Sequence, residues 1–219
     1  MPEHDDRPDA VVLAGGRSRR MGQDKALLRL PDGRTALEAV IAVARQAAAR
    51  VFLSVDSEEH GACLCKSLPW QPTMITDSAP DAGPLAALAG SLHAATAPAV
   101  LVLAVDTPLI LPDVLRLHYQ EWLEADHAPN GIAAPIINGV VQPLPACYAA
   151  RLADIADRLL AAGERSLRAL LQCPDAHLSR VGEEDLRAAD PSLRSFVGAN
   201  TSAEWEALCA QAGEPSLRA

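Results

Sequence analysis

The sequence lacks the features that mark membrane proteins and general nucleic-acid-binding proteins. No apolar run approaches the roughly 20 residues needed to cross a bilayer, and residues 1–9 are polar and acidic, unlike a signal peptide. A basic excess is also missing: the formal net charge is −9, which opposes association with nucleic acid or with an anionic membrane. We therefore expect a cytoplasmic protein with no nucleic-acid or membrane partner.

Cysteine and histidine are present, but without the spacing of a disulfide framework or a metal site. The five cysteines are odd in number and irregularly spaced, so we expect free thiols. The six histidines show no paired ligand spacing, and no serine lies in a nucleophile-elbow pattern. The sequence therefore predicts neither a histidine-bound metal nor covalent catalysis by the protein.

The pattern of apolar runs predicts one α/β domain. Hydrophobic residues make up 49% of the 219-residue chain, which is enough to bury a substantial core. The alternation of strand-like and helical segments favours a three-layer α/β/α, Rossmann-like fold with a mostly parallel sheet and an antiparallel addition. We assign residues 1–219 to this single domain, with residues 1–9 and 214–219 as flexible ends.

Several elements are predicted by local signals. Thr35 and Glu38 form a capping-box pattern at the start of a helix over 35–50, between strands at 10–12 and 51–55, and this order implies a parallel pair with a right-handed crossover. Asn138-Gly139 predicts a hairpin turn. Further strands are expected at 74–76, 98–105, 132–137, 140–148, 177–181 and 195–197. Further helices are expected at 62–66, from Pro84, at 112–124, 151–162 and 166–172, and after a cap at Thr201 and Glu204.

The loop after the first strand, Leu13 to Lys25, reads LAGGRSRRMGQDK and predicts an anion site. Its paired glycines allow the backbone to approach a ligand closely, and its cations, Arg17, Arg19, Arg20 and Lys25, stand out in an acidic chain. The loop matches neither G-x-x-x-x-G-K-[ST] nor G-x-G-x-x-G. We interpret it as a phosphate-binding loop of another kind.

Asp106 follows the most apolar run of the chain, Pro98–Val105, and so lies where ligands of open α/β sheets bind. Its carboxylate suits Mg²⁺, which prefers one or two carboxylates together with substrate phosphates. An aspartate before Thr-Pro is also a turn or helix N-cap signal, and Asp77 has a similar turn context. From the residues alone both interpretations stay open.

The loop resembles the L-A-G-G-x-S-x-R-M-G-x-D-K signature of molybdenum cofactor guanylyltransferases, within the nucleotidyltransferases of the sugar-nucleotide pyrophosphorylase type. The resemblance covers residues 10–210, because further segments follow in family order. These are Asp77-Ser78, Gly83-Pro84-Leu85-Ala86, Asp106-Thr107-Pro108, Gln142-Pro143-Leu144, Gly163-Glu164-Arg165 and Asn200-Thr201.

The resemblance implies the nucleotide-diphospho-sugar transferase fold and a reaction. GMP passes from GTP to the terminal phosphate of molybdopterin-bound molybdenum cofactor, with Mg²⁺ as metal cofactor, giving the guanine dinucleotide and pyrophosphate. The implied nucleotide-binding residues are Leu13, Ala14, Gly15, Gly16, Lys25, Ser54, Asp77 and Asp106. The implied catalytic residues are Lys25, Asp106 and Arg20, with Asp106 as metal ligand, and the second-substrate candidates are Gln142, Arg165 and Asn200.

The resemblance also leaves alternatives. Ser54, with Asp56 two residues on, stands where the family has an asparagine, while Ala87 and Gly198 depart from a glycine and an asparagine. Gly15-Gly16 favours guanine, since cytidylyl relatives read L-A-A-G. Cytidylyl or other nucleotidyl transfer to a phosphorylated acceptor is the alternative reaction, and a non-catalytic nucleotide-binding or cofactor-delivery module is the alternative class. Relatives also suggest a small GTP-binding partner protein and apo-molybdoenzymes as recipients.

Overall fold

Short runs of valine, leucine and alanine, largely buried, form the central sheet. The structure is a computed structural model that describes residues 6–15, 24–66, 68–76, 83–125 and 129–212. Within these ranges the strands are β1 (Asp9–Leu13), β2 (Arg50–Val55), β3 (Thr73–Thr76), β4 (Ala99–Ala104), β5 (Gly131–Ile137), β6 (Val140–Val141), β7 (Ala146–Ala149) and β8 (His177–Val181).

The strand order is β3-β2-β1-β4-β7-β5-β6, with β8 also paired to β5. β1 pairs in parallel with β2 and β4, β2 with β3, and β5 with β8. β7 is antiparallel to both β4 and β5, and β6 is antiparallel to β5. The predicted fold class, a mostly parallel sheet with an antiparallel addition, is confirmed.

Two groups of helices cover the sheet. The described helices are α1 (Ala36–Ala47), α2 (Glu58–Cys65), α3 (Pro84–Ala94), α4 (Pro112–Glu124), α5 (Ala153–Ala161), α6 (Leu167–Leu171), α7 (Glu183–Ala189) and α8 (Ser202–Ala212). α1 and α7 pack on α4, whereas α3, α5 and α6 pack on one another, which gives the three-layer arrangement. No helix in the described ranges is long and apolar enough to cross a membrane.

The capping predictions are confirmed by hydrogen bonds at two helix starts. At α1, Thr35 Oγ1 accepts a hydrogen bond from the Glu38 amide at 3.1 Å, and Glu38 Oε2 accepts one from the Thr35 amide at 2.6 Å. Thr201 and Glu204 form the same reciprocal pair at the start of α8, at 3.2 Å each way. These side chains satisfy amides that the first helical turn leaves without a partner.

Three element predictions are wrong. The predicted strand over 140–148 is two strands, β6 and β7, because the intervening Pro143 and Pro145 have no N–H to donate to a ladder. The predicted strand at 195–197 is instead a 3-10 turn, Arg194–Phe196. The helix predicted at 62–66 starts earlier, as α2, because the Ser57 side chain accepts a hydrogen bond from the His60 amide and caps the helix at that point. The helix α7 is not predicted from the sequence.

The chain is anchored at Asp9, inside the segment predicted to be a flexible end. Asp9 lies in β1 and is 1% exposed. Its Oδ2 accepts hydrogen bonds from the Thr96 amide at 2.7 Å, the Thr96 hydroxyl at 3.1 Å and the Ala97 amide at 3.0 Å. Three donors offset the cost of burying a carboxylate, so the flexible end cannot extend to residue 9.

The five cysteines are free thiols, as predicted.

His118 is a fully buried histidine in α4. Its Nδ1 lies 2.6 Å from the Val114 carbonyl oxygen and donates to it, and its ring packs beside Phe196 with 6.4 Å between centroids. Nε2 is buried and finds no hydrogen-bond partner among the described residues. Burial therefore lowers the pKa of His118 from 6.5 to about 4.

We predict that His118 makes the fold less stable in mild acid. Because its pKa is lower in the folded state, the unfolded chain takes up the proton first, so stability is full above pH 6.5 and falls as the pH drops towards 4. This group alone should cost about 2 kcal/mol between pH 8 and pH 5. Urea unfolding of the wild type and of His118→Leu at both pH values measures it. An equal loss of stability in the two proteins would contradict the prediction.

Candidate active site

The carboxyl ends of three parallel strands lie level with one another. Leu13 at the end of β1 pairs with Ser54 of β2 on one side and Ala104 of β4 on the other. The Ala14 amide donates to the Ser54 carbonyl at 2.8 Å, and the Leu13 carbonyl accepts from the Val105 amide at 3.1 Å. The strand order reverses at β1, and ligands of open α/β sheets bind at such a switch point.

Lys25 reaches this edge from a short 3-10 turn, Lys25–Leu27. Asp24 caps the turn, with its Oδ1 accepting from the Ala26 amide at 3.0 Å. The Lys25 ammonium donates to Asn200 Oδ1 at 2.8 Å and lies 3.8 Å from Asp106 Oδ2. The side chains of Lys25 and Asp106 are 17% and 33% exposed, so solvent and ligands can reach both.

Asp106 is held by the chain segment that leads into α8. Its carbonyl oxygen accepts from the Ala199 amide at 3.3 Å, and the Cα of Gly198 lies so close that a Cβ there would be 3.5 Å from the same oxygen. Burial raises the pKa of the Asp106 carboxyl, and the positive charge of Lys25 opposes this rise. The site thus pairs a partly desolvated carboxylate with an ammonium group.

The other predicted nucleotide-binding residues fall into two groups. Ala14 is buried and Gly15 is exposed immediately after β1, beside Ser54. Ser54 is fully buried, and its Oγ has no hydrogen-bond partner in the described part of the chain. The remaining predicted residues lie outside the described residues: Gly16, Arg17, Arg19, Arg20 and Asp77. Their roles stay predictions.

Of the three second-substrate candidates, Asn200 is the one whose described contacts include Lys25. Gln142 follows β6, and its backbone amide donates a hydrogen bond to the Pro135 carbonyl at 2.9 Å. The Arg165 guanidinium donates hydrogen bonds to the carbonyls of Leu160 and Glu164, so it caps the C-terminal end of α5. None of these contacts joins Gln142 or Arg165 to the Lys25–Asp106 pair.

Arg165 nevertheless shapes the start of α3. Its carbonyl accepts from the Leu85 amide at 3.1 Å. Gly83 meets the same carbonyl: it has a φ of +83°, and a Cβ there would lie 3.0 Å from the oxygen. A side chain at position 83 would therefore be strained and would push the two segments apart. The Gly83-Pro84 pair in the motif has a packing role at this point.

His60, to which the sequence analysis gives no role, lies next to the site. His60 Nδ1 is 2.6 Å from Asp56 Oδ1, and His60 Nε2 is 2.6 Å from Asp24 Oδ2. Asp56 directly precedes Ser57, the N-cap of α2, and lies four residues before His60, so recognising the start of α2 would have indicated that the two are close. Asp24 is far away in sequence, and no local pattern indicated that contact.

The residues present fit a magnesium ion held jointly with a substrate. No group of three or more metal-ligating side chains occurs within the described ranges, so the protein part of any site here is small. Asp106 offers a single, partly exposed carboxylate, and Mg²⁺ is commonly bound through one or two carboxylates plus phosphate oxygens and water. The donor set therefore suits a metal that arrives with a polyphosphate.

Comparisons with known proteins agree with this geometry. The MobA-like NTP transferase domain model matches residues 10–181. A probable molybdenum cofactor guanylyltransferase of Chloroflexus aggregans is 31% identical over 210 residues, covering 94% of this chain and 96% of the relative. One of the same name from Mycobacterium tuberculosis is 37% identical over 171 residues, covering 76% and 80%.

Among solved structures, molybdopterin-guanine dinucleotide biosynthesis protein A from Archaeoglobus fulgidus has the same fold. Its TM-score is 0.77 at 24% identity, covering 93% of this chain and 98% of that chain. The fold, the matched length and the identity to the relatives all point to nucleotidyl transfer. The chain belongs to the MobA-like NTP transferase family.

Proposed function

We propose that this protein transfers GMP from GTP to the terminal phosphate of molybdopterin-bound molybdenum cofactor, releasing pyrophosphate. The observation that carries the proposal is the placement of Lys25 and Asp106, 3.8 Å apart, at the carboxyl ends of β1 and β4. The relatives named as molybdenum cofactor guanylyltransferases support the choice of substrates.

The reaction needs alignment and charge stabilisation rather than a protein nucleophile. The terminal phosphate of the acceptor attacks the α-phosphorus of GTP, and negative charge builds on the departing pyrophosphate. Lys25 neutralises phosphate oxygens, with Arg20 as a predicted second cation. Because Lys25 is positioned before the reaction, it stabilises the transition state without reorganising.

Asp106 is the residue that would hold Mg²⁺. When bound, the metal supplies positive charge that offsets the charge of the phosphates. The backbone at Leu13 to Gly16 borders the nucleotide, together with Ser54 and Asp77. Asn200, which contacts Lys25 at 2.8 Å, is the best-placed of the three acceptor-side candidates, and Gln142 and Arg165 are secondary ones.

Removal of either charge should abolish most of the activity. We expect Lys25→Ala and Asp106→Asn each to lower kcat by about two orders of magnitude or more, because each removes charge stabilisation from the transition state. Pyrophosphate release with GTP, Mg²⁺ and molybdenum cofactor measures the rate. Asp106→Asn should also need more Mg²⁺ for half-maximal activity, which separates the metal role from the phosphate role.

Matched substitutions elsewhere serve as controls. Lys66→Ala removes an exposed lysine at the end of α2, and Asp175→Asn removes a surface carboxylate that pairs with Arg158 at 2.9 Å. Both should keep wild-type rates. A near-normal rate for Lys25→Ala or Asp106→Asn at saturating Mg²⁺ would show that the role assigned to that residue is wrong.

The base preference is tested by competition between nucleotides. We expect unlabelled GTP to displace a bound guanine nucleotide more strongly than CTP does, because Gly15-Gly16 follows the guanylyl pattern of the family. Calorimetric titration with each nucleotide and Mg²⁺ gives the two affinities. Tighter binding of CTP would overturn the guanylyl assignment in favour of cytidylyl transfer, while leaving nucleotidyl transfer itself intact.

A further inference from the structure

His60 bridges two carboxylates beside the proposed active site. It lies in the first turn of α2, and its side chain is 7% exposed. The two ring nitrogens each lie 2.6 Å from an aspartate oxygen, Nδ1 from Asp56 and Nε2 from Asp24. Both carboxylate side chains are about a quarter exposed, at 27% and 26%, so the ring is the covered centre of the group.

Each ring nitrogen of His60 faces one carboxylate. A neutral imidazole donates from one nitrogen and presents a lone pair at the other, which would face a carboxylate oxygen unfavourably. An imidazolium donates from both nitrogens and makes two charge-assisted hydrogen bonds, which are short and strong. Both 2.6 Å contacts are within hydrogen-bond distance, so the ring links Asp56 to Asp24.

Asp24 connects this bridge to Lys25. One oxygen of Asp24, Oδ1, accepts from the Ala26 amide and caps the 3-10 turn that begins at Lys25. The other, Oδ2, faces His60. Asp56, on the far side of the ring, follows directly after β2. The ring thus ties a three-residue turn to the end of a central strand.

That turn needs such support. A 3-10 turn of three residues has few internal hydrogen bonds and is weak alone. Yet it carries the ammonium group that lies 3.8 Å from Asp106 and must meet the phosphates. Small displacements of a positioning group can cost a large factor in rate.

We propose that His60 is a positioning residue of the nucleotidyl-transfer site, and that its link to Asp24 fixes the turn that presents Lys25 to the nucleotide. The assignment rests on the proposed function. His60 has no direct part in the chemistry, because its nitrogens are both engaged by aspartates. Its effect passes through Asp24 and the backbone of the turn to the lysine.

Two conservative substitutions separate the two arms of the bridge. The side-chain amide nitrogen of Gln lies near the position of histidine Nε2, and that of Asn lies near Nδ1. His60→Gln therefore keeps a donor for Asp24, whereas His60→Asn keeps one for Asp56. Both replace the ring by an amide at the same helical position, so each is the matched control of the other.

We expect His60→Asn to lower kcat/KM for GTP by about tenfold or more with a raised KM, and His60→Gln to stay within about threefold of the wild type. In an Asp24→Ala background, His60→Asn should add little, because the side chain that Nε2 contacts is already gone. A merely structural role predicts something else: similar losses of thermal stability in both variants, with unchanged KM for the folded fraction. Equal kinetics for Gln and Asn would overturn the proposal.

A spectroscopic measurement tests the bridge independently of activity. In nitrogen-15 spectra of the nucleotide-free protein, with His60→Gln identifying the signals, the Nε2 signal of His60 should shift on Asp24→Ala and the Nδ1 signal on Asp56→Ala, because each substitution removes that nitrogen's partner. An Nε2 signal that Asp24→Ala leaves unchanged would contradict the bridge. Failure of the wild type to transfer GMP would instead count against the proposed function, and calorimetric Mg²⁺–GTP binding by the two variants would still test the support of Lys25.

Discussion

The parallel pairing of β1 with β2 and β4 is the constraint on which the site depends. Because the three strands run the same way in register, their carboxyl ends meet at one edge, with Leu13 level with Ser54 and Ala104. Any side chain that follows one of these strands is delivered to that edge. Asp106 and Lys25 therefore meet there, although three helices and three strands, α1 to α3 and β2 to β4, separate them in sequence.

The charged contacts at this edge contribute little to stability and can be replaced by contacts to a ligand. Lys25 is held by Asn200 and lies near Asp106, but both contacts are partly exposed, and such ion pairs contribute about 0–1 kcal/mol. A polyphosphate can therefore take over the ammonium group at small cost. In an acidic chain, this pairing also keeps the cation positioned before a ligand arrives. His60 likewise holds the side chain of Asp24, the residue before Lys25, in position.

The sequence predicted those parts of the structure that depend on neighbours in the chain. The capping box at Thr35, the turn at Asn138-Gly139 and the buried strand before Asp106 follow from local signals, and all three occur. The strand predicted at 195–197 failed because packing against the rest of the fold, not local pattern, decides that segment. In the candidate site, the loop motif predicted Lys25, and the position after a buried strand predicted Asp106. The bridge at His60 needed a contact between Asp24 and α2 that no local pattern contains.

The site is also larger than the segment that matches the family model. The match ends at residue 181, yet Asn200 contacts Lys25 and Ala199 holds the carbonyl of Asp106. α8 anchors this late segment, because Leu208 packs with Ala199 in a small apolar cluster that also contains Leu30 and Ala39. Leu30 follows the Lys25 turn by a few residues. The same cluster therefore holds both the segment after the Lys25 turn and the segment that carries Asn200, so one piece of core positions both residues.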